Sequence, residues 1–341
     1  MVFVRARRAL AVLNRVRIFF QRCFSALFFP VLLVVLVCSC QDLSSRPLRV
    51  AVHPWLGYQS LILCQQEHRL DAAQVELVPS VSLSASSRLL CEGKVDAATV
   101  TLDEVLFLRQ KGVPLTVVLV LDASAGADLL LAKPPVATLQ ALKGATIGME
   151  DSALSRLILG EVLRRAGLTA QDVTLTTAIV SDHGRLWQEP EVDALITYLP
   201  LAEGIGPEAV CLFDSHQIPN LILDVLAVRG DRLDLFRPAL KHLLSGHFSV
   251  VKKLIADEPD TINRLATILN QPFEVIDLIL RQITFPTREW NRQFLSRSTP
   301  ETNPQLAKLI RGLQQAGALA EGVDCSSLFD ASFLPPAPER N

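Results

Sequence analysis

The sequence has 341 residues, 50% hydrophobic and 20% charged, with a formal net charge of −2 at pH 7. Six of its 33 basic residues and none of its 35 acidic ones precede Cys40, so the chain from there on carries −8. An acidic body of roughly 300 residues has room for two lobes with real cores, and it lacks the basic footprint of a nucleic-acid binder.

In chain order, Arg5, Arg7, Arg8, Arg15, Arg17 and Arg22 precede an apolar run over 24–38. A basic flank followed by a short greasy segment has the layout of a secretory signal. The run falls short of the roughly 20 apolar residues that a spanning helix needs. It also contains Pro30 and stops at polar Gln41-Asp42; an uncleaved signal anchor is the alternative. Its end, Val37-Cys38-Ser39-Cys40, resembles the lipobox of bacterial lipoproteins, in which the cysteine is acylated and becomes the first mature residue. Residues 1–39 are thus expected to be a signal peptide and 40–47 a lipidated tether. The protein is expected on the periplasmic side of a bacterial membrane, anchored at Cys40. Each buried acyl methylene would contribute about 0.8 kcal/mol to that anchoring. Beyond Cys40 lie Cys64, Cys91, Cys211 and Cys325. Their spacing does not resemble a zinc site and no metal or cofactor is expected; either a disulfide such as Cys64–Cys91 or buried free thiols would fit.

Next, strands alternate with helices. Strands are predicted over 48–53, 74–78, 96–100 and 115–121, helices over 59–68, 82–90 and 102–110, and a turn over 54–58. The run at 115–121 is almost purely β-branched and leucine, as in a strand buried on both faces. A small, polar break follows at 122–128. Beyond it come strands over 145–149, 192–198 and 209–213, with an amphipathic helix over 154–166. An extended run at 221–228 leads into a helical end, near 237–256, 260–269, 273–282 and 304–316. Alternation of this kind implies an α/β fold of mostly parallel sheets flanked by helices. Two such modules joined by two extended crossings predict a clamshell. One lobe is drawn from 48–125 and 222–341 and the other from 126–221, and the hinge lets a ligand stabilise a closed state.

Several stretches come in a recognisable order: Leu48-Arg-Val-Ala-Val-His-Pro-Trp-Leu-Gly-Tyr58, Gly93-Lys-Val-Asp-Ala-Ala98, Thr101-Leu-Asp-Glu104 and Leu121-Asp-Ala-Ser-Ala-Gly-Ala-Asp128. Ile147-Gly-Met-Glu150, Val192-Asp-Ala-Leu-Ile-Thr-Tyr-Leu-Pro200 and Leu212-Phe-Asp-Ser-His-Gln-Ile-Pro219 follow. Together they resemble the type II periplasmic binding proteins of the nitrate/sulfonate/taurine and thiamine-pyrimidine-precursor group, over nearly the whole chain after the signal. The resemblance implies a monomeric solute receptor that hands a small molecule to the permease subunits of an ABC importer. It departs from the pattern at Leu199, where Glu is common, and at Ala123, where an aromatic is common.

In such sheets ligands sit beyond the carboxyl ends of strands, where helix N-termini offer free N–H groups. Trp55 and Tyr58 follow the first strand and could stack on a flat ligand. Ser84 opens a helix, where N-capping competes with solute contact. Thr101 and Glu104 read first as a capping box, leaving Asp103 as the better candidate for solute. Ser124 and Asp224 lie in the two crossings, Glu150 and Ser152 at a strand-to-helix turn, and Tyr198 at a strand end. These loops are rich in carboxylates, with Arg88 almost their only base. That predicts an amine-bearing or heteroaromatic solute, with a sulfonate-like group still able to use a helix terminus. An enzyme on the same scaffold, as in thiamine-pyrimidine synthesis, and a sensory lipoprotein are the alternatives. Catalysis is not expected, because no G-x-S-x-G occurs and the six histidines are dispersed.

Overall fold

The computed structural model describes residues 46–199, 201–256 and 258–336; the signal peptide, Cys40 and most of the tether lie outside them. Beyond Arg46 the chain forms one unit, organised by two sheets. The first part runs β1 (Leu48–Val52), α1 (Gln59–Gln66), β2 (Val75–Pro79), α2 (Leu83–Cys91), β3 (Ala97–Thr101), α3 (Leu102–Gln110) and β4 (Leu115–Ser124). The second runs β5 (Asp128–Ala132), β6 (Thr146–Met149), α4 (Ala153–Ala166), β7 (Thr174–Thr177), α5 (His183–Gln188), β8 (Ala194–Tyr198) and β9 (Val210–Asp214). The chain returns through β10 (Leu223–Arg229) to α6 (Arg237–Ile255), α7 (Pro259–Leu269), α8 (Phe273–Leu280), β11 (Ile283–Thr284), α9 (Arg288–Leu295) and α10 (Pro304–Gln315).

The sheet orders are β11-β4-β10-β3-β1-β2 and β7-β6-β8-β5-β9. Strands β1, β2 and β3 pair in parallel, as do β6, β7 and β8. The strands that run against their neighbours are those of the crossings and short β11: β10 is antiparallel to β3 and β4, β5 to β8 and β9, and β11 to β4. The result is the two-lobed α/β clamshell. Helix α10 packs on α4 of the second lobe as well as on α3 of the first. It comes so close that a Cβ added at Gly160 would meet the Ala316 Cβ at 2.6 Å. Among the described residues no helix is long and apolar enough to cross a membrane, and Cys64, Cys91, Cys211 and Cys325 are free thiols.

The predicted break at 122–128 is shorter in the structure. Strand β4 continues to Ser124, because Asp122 and Ala123 find partners on β10 and Ala123 and Ser124 on β11. Five elements escape the sequence pattern, among them β5 (Asp128–Ala132) and two-residue β11. Strand β7, Thr-Leu-Thr-Thr at a sheet edge, is largely exposed and carries no apolar alternation; α5 and α9 are short.

Short α9 serves the centre of the fold. All ten residues of β4 are buried, yet its outer edge meets only two-residue β11 as a strand. Elsewhere along that edge, Val117 exchanges backbone bonds with Leu328 (2.8 Å) and Asp330 (3.0 Å). The fully buried Asn291 accepts from the Val120 N–H at 2.7 Å and donates to its carbonyl at 3.0 Å. A side-chain amide thus stands in for a missing strand. Asn291→Ala leaves a buried donor and acceptor unpaired, and urea unfolding is expected to register a loss of about 2–4 kcal/mol.

Candidate functional site

The cleft lies where strands of both sheets end. The space left free between its walls is about 30 Å³. The first lobe contributes His53 and Trp55 after β1 and Thr101 at the end of β3; the second contributes Glu150 and Ser152 after β6 and Tyr198 at the end of β8. Asp128 and Asp224, at the starts of β5 and β10, complete the polar lining beside an apolar wall that includes Leu83, Leu154 and Ile158. No lysine or arginine is among the lining residues.

Beneath this surface lies a stack of buried acids, set by strand register. Asp224 faces Asp122 across the β10–β4 ladder and Thr101 across the β10–β3 ladder. Asp122 accepts from the Trp55 indole N–H at 3.1 and 3.2 Å, and Asp224 accepts from the Tyr58 hydroxyl. Both donors are neutral. A Cβ at Gly57 would sit 1.8 Å from Asp122 Oδ2 and 2.7 Å from Trp55 Nε1, so only glycine leaves room for this contact. Burial raises Asp122, and it raises Asp224 well above the carboxylate range, where the neighbouring Asp122 charge adds to it. The pair behaves as two acids that resist joint ionisation. Burial also pushes Asp128 up to about 6, against the Ser124 hydroxyl. It pushes Asp103 up to about 7, with the Glu104 charge helping. Among the described residues, no group of three or more His, Cys, Asp or Glu is placed to hold a metal ion.

Two histidines enter the site as neutral rings. Burial lowers His53 to about 3; its Nδ1 lies 3.2 Å from Ser86 Oγ and its ring meets Tyr58 edge-on. Burial likewise lowers His183, whose Nδ1 lies 3.1 Å from Thr197 Oγ1 and whose Nε2 is buried without a partner. A lining histidine with one unsatisfied nitrogen offers a hydrogen bond to a bound molecule.

Six of the ten residues singled out from sequence line the cleft: Trp55, Thr101, Glu150, Ser152, Tyr198 and Asp224. Four do not. Tyr58 lies behind Asp224 as its donor. Asp103 is fully buried and accepts from the Thr101 hydroxyl at 2.8 Å. Ser124 is tied to Ser215 at 2.7 Å, bracing the crossing where Ser215 also accepts from the Gly126 N–H at 2.6 Å. Ser84 donates to Glu150 and lines an adjoining groove. Two capping expectations are corrected. Ser82, not Ser84, caps α2, accepting from the Ala85 N–H. Thr101 makes no capping bond to α3, and the Glu104 carboxylate turns outward to the second lobe, accepting from the Ala153 N–H at 2.9 Å. The ten did not include Asp122, Asp128, His53 or His183. Of these, His53 was legible from its place after the first strand.

The lobes also meet at Tyr198, whose hydroxyl donates to the Pro54 carbonyl at 3.1 Å and whose ring stands edge-on to Trp55 at 5.2 Å. Two α/β lobes, two crossing strands and a polar cleft between them define the periplasmic-binding-protein fold. The chain belongs to the NMT1/THI5-like family, whose model matches residues 72–271. Its fold is similar to that of the alkanesulfonate-binding protein SsuA from Xanthomonas axonopodis pv. citri, bound to MOPS. That match has a TM-score of 0.63 at 16% identity, covering 85% of this chain and 97% of that one. The Candida albicans CA3427 product, described as having the generic periplasmic binding protein fold, matches at 0.64 and 18% identity, over 86% and 99%. The nitrate-binding protein NrtA from Synechocystis PCC 6803 matches at 0.60 and 12% identity, over 83% and 90%. No curated protein sequence matches the chain.

Proposed function

We propose that this protein is an exported solute receptor that captures a small cationic, amine-bearing molecule between its lobes and delivers it to an ABC importer. Lipidation at Cys40 would hold it at the membrane. The observation that carries this reading is the charge of the cleft. Asp128, Glu150 and Asp224 line it without a lysine or arginine, and Asp103 and Asp122 are fully buried. Buried carboxyls without bases either hold their protons or take a cation as partner. Trp55 and Tyr198 add aromatic surfaces suited to a cationic or heteroaromatic ligand. The sulfonate- and nitrate-binding proteins of similar fold support the receptor class; the acid-rich lining favours a different solute.

Calorimetry at pH 8 with heteroaromatic and alkyl amines, sulfonates and nitrate provides the test. An amine is expected to bind, releasing protons to the buffer and raising the melting temperature with the logarithm of its concentration above the dissociation constant. Tight nitrate or sulfonate binding with no competing amine would overturn the solute class. Loss of uptake of the same amine on deletion of the gene would establish delivery.

A further inference from the structure

We infer that Glu150 of the cleft and Glu104 of the groove beside it are the specificity-determining pair: resident anions that fasten the lobes together and keep anionic solutes from both helix starts. Each glutamate belongs to one lobe and sits on a helix start of the other. Glu150, directly after β6 of the second lobe, accepts from both the N–H (3.0 Å) and the hydroxyl (2.5 Å) of Ser84, in the first turn of α2. Glu104, in the first turn of α3 in the first lobe, accepts from the N–H of Ala153, the first residue of α4. Both glutamates are 4% exposed. The arrangement is reciprocal down to the local caps. Helix α2 has its Ala85 N–H satisfied by Ser82, and α4 has its Ser155 N–H satisfied by Ser152. Each helix start therefore receives one oxygen from its own serine and one from the other lobe's glutamate.

A helix start attracts anions through its free N–H groups and its dipole. Here two such starts, one in each lobe, have their charge requirement met from within. An incoming sulfonate or carboxylate would have to displace a glutamate and then share the cleft with Asp128 and Asp224. Arg88, Lys111 and Arg156 line an adjoining surface groove with Glu104, and none of them lines the cleft. The interlobe bonds also act as built-in ligand contacts. They bias the hinge toward closure, and a cationic solute adds to that bias by pairing with acids already in place.

The solute half of this inference rests on the receptor reading; the closure half does not, so two measurements on the full-length protein separate them. Small-angle scattering without solute compares the wild type with Glu104→Ala/Glu150→Ala. The variant is expected to have the larger radius of gyration, and an unchanged radius would overturn the fastening. Calorimetry then uses methanesulfonate as the probe. The double variant is expected to bind it at least tenfold more tightly than the wild type, and equal affinities would overturn the exclusion. Glu104→Gln/Glu150→Gln keeps the acceptor oxygens and removes the charge. It should fold even where the alanine pair does not, and should fall between wild type and the alanine pair in both measurements. An opening variant in a protein that binds no amine would refute the solute reading alone.

Discussion

Asp122→Asn/Asp224→Asn is expected to weaken binding of a cationic amine at pH 8 by at least a hundredfold, about 3 kcal/mol. The two carboxyls share one level of the sheet and are held by the indole of Trp55 and the hydroxyl of Tyr58. Neither donor brings a charge, so a bound ammonium would be the compensating cation. Charge pairs in a partly desolvated site are worth several kcal/mol, and most of that is lost when one member is neutralised. In the wild type the solute must also compete with protons. Raised carboxyls hold protons near neutrality and release them when a cation binds, so affinity should fall roughly tenfold per pH unit for each coupled proton as pH drops from 8 to 6. The double variant should show a shallower dependence, carried by Asp128. Asp224→Asn alone imitates the singly protonated pair, leaving Asp122 free to ionise, and should cost less than the double change. Isothermal titration across that pH range reads all three. A double variant that binds the amine like the wild type would remove charge from the account of recognition.

The fold was legible because its signals are local: apolar alternation, β-branched runs and helix starts recur at the right intervals. The cleft was legible only in part. Positions at strand ends followed from topology, so Trp55, Thr101, Glu150 and Tyr198 could be named. What lay hidden were pairings across long sequence distances. Glu104, three residues after a threonine, reads as a capping box, and nothing nearby in sequence reveals that its partner is the N–H of Ala153, in the other lobe. Asp122 looked like part of a polar linker, because the strand that absorbs it is completed by β10, a hundred residues on. Asp103 was singled out for solute contact, but it is fully buried beneath the cleft and does not line it. His183 sits on a helix of six residues, too short to leave a periodic signal.

Asp103 gives the clearest stability test, because its isosteric replacement should make the protein more stable at alkaline pH. The side chain is fully buried; one oxygen accepts from Thr101 and Oδ1 has no partner. Its folded value of about 7 stands above the roughly 3.9 of an unfolded aspartate. The folded state therefore binds this proton more tightly than the unfolded state does. The stability it contributes is fully present below the unfolded value and is lost as pH rises through the folded one. Asp103→Asn has no proton to lose. From pH 5 to pH 8 the variant's advantage over wild type should grow by about 2–3 kcal/mol, on the basis of 1.36 kcal/mol per pKa unit. His53 and His247, both lowered to about 3 by burial, work in the opposite direction below their unfolded values. They do so equally in both proteins and drop out of the difference. Urea unfolding at the two pH values measures it. An advantage that stays constant with pH would mean that Asp103 is ionised throughout, and that a neighbour on the cleft side supplies the charge that keeps it so.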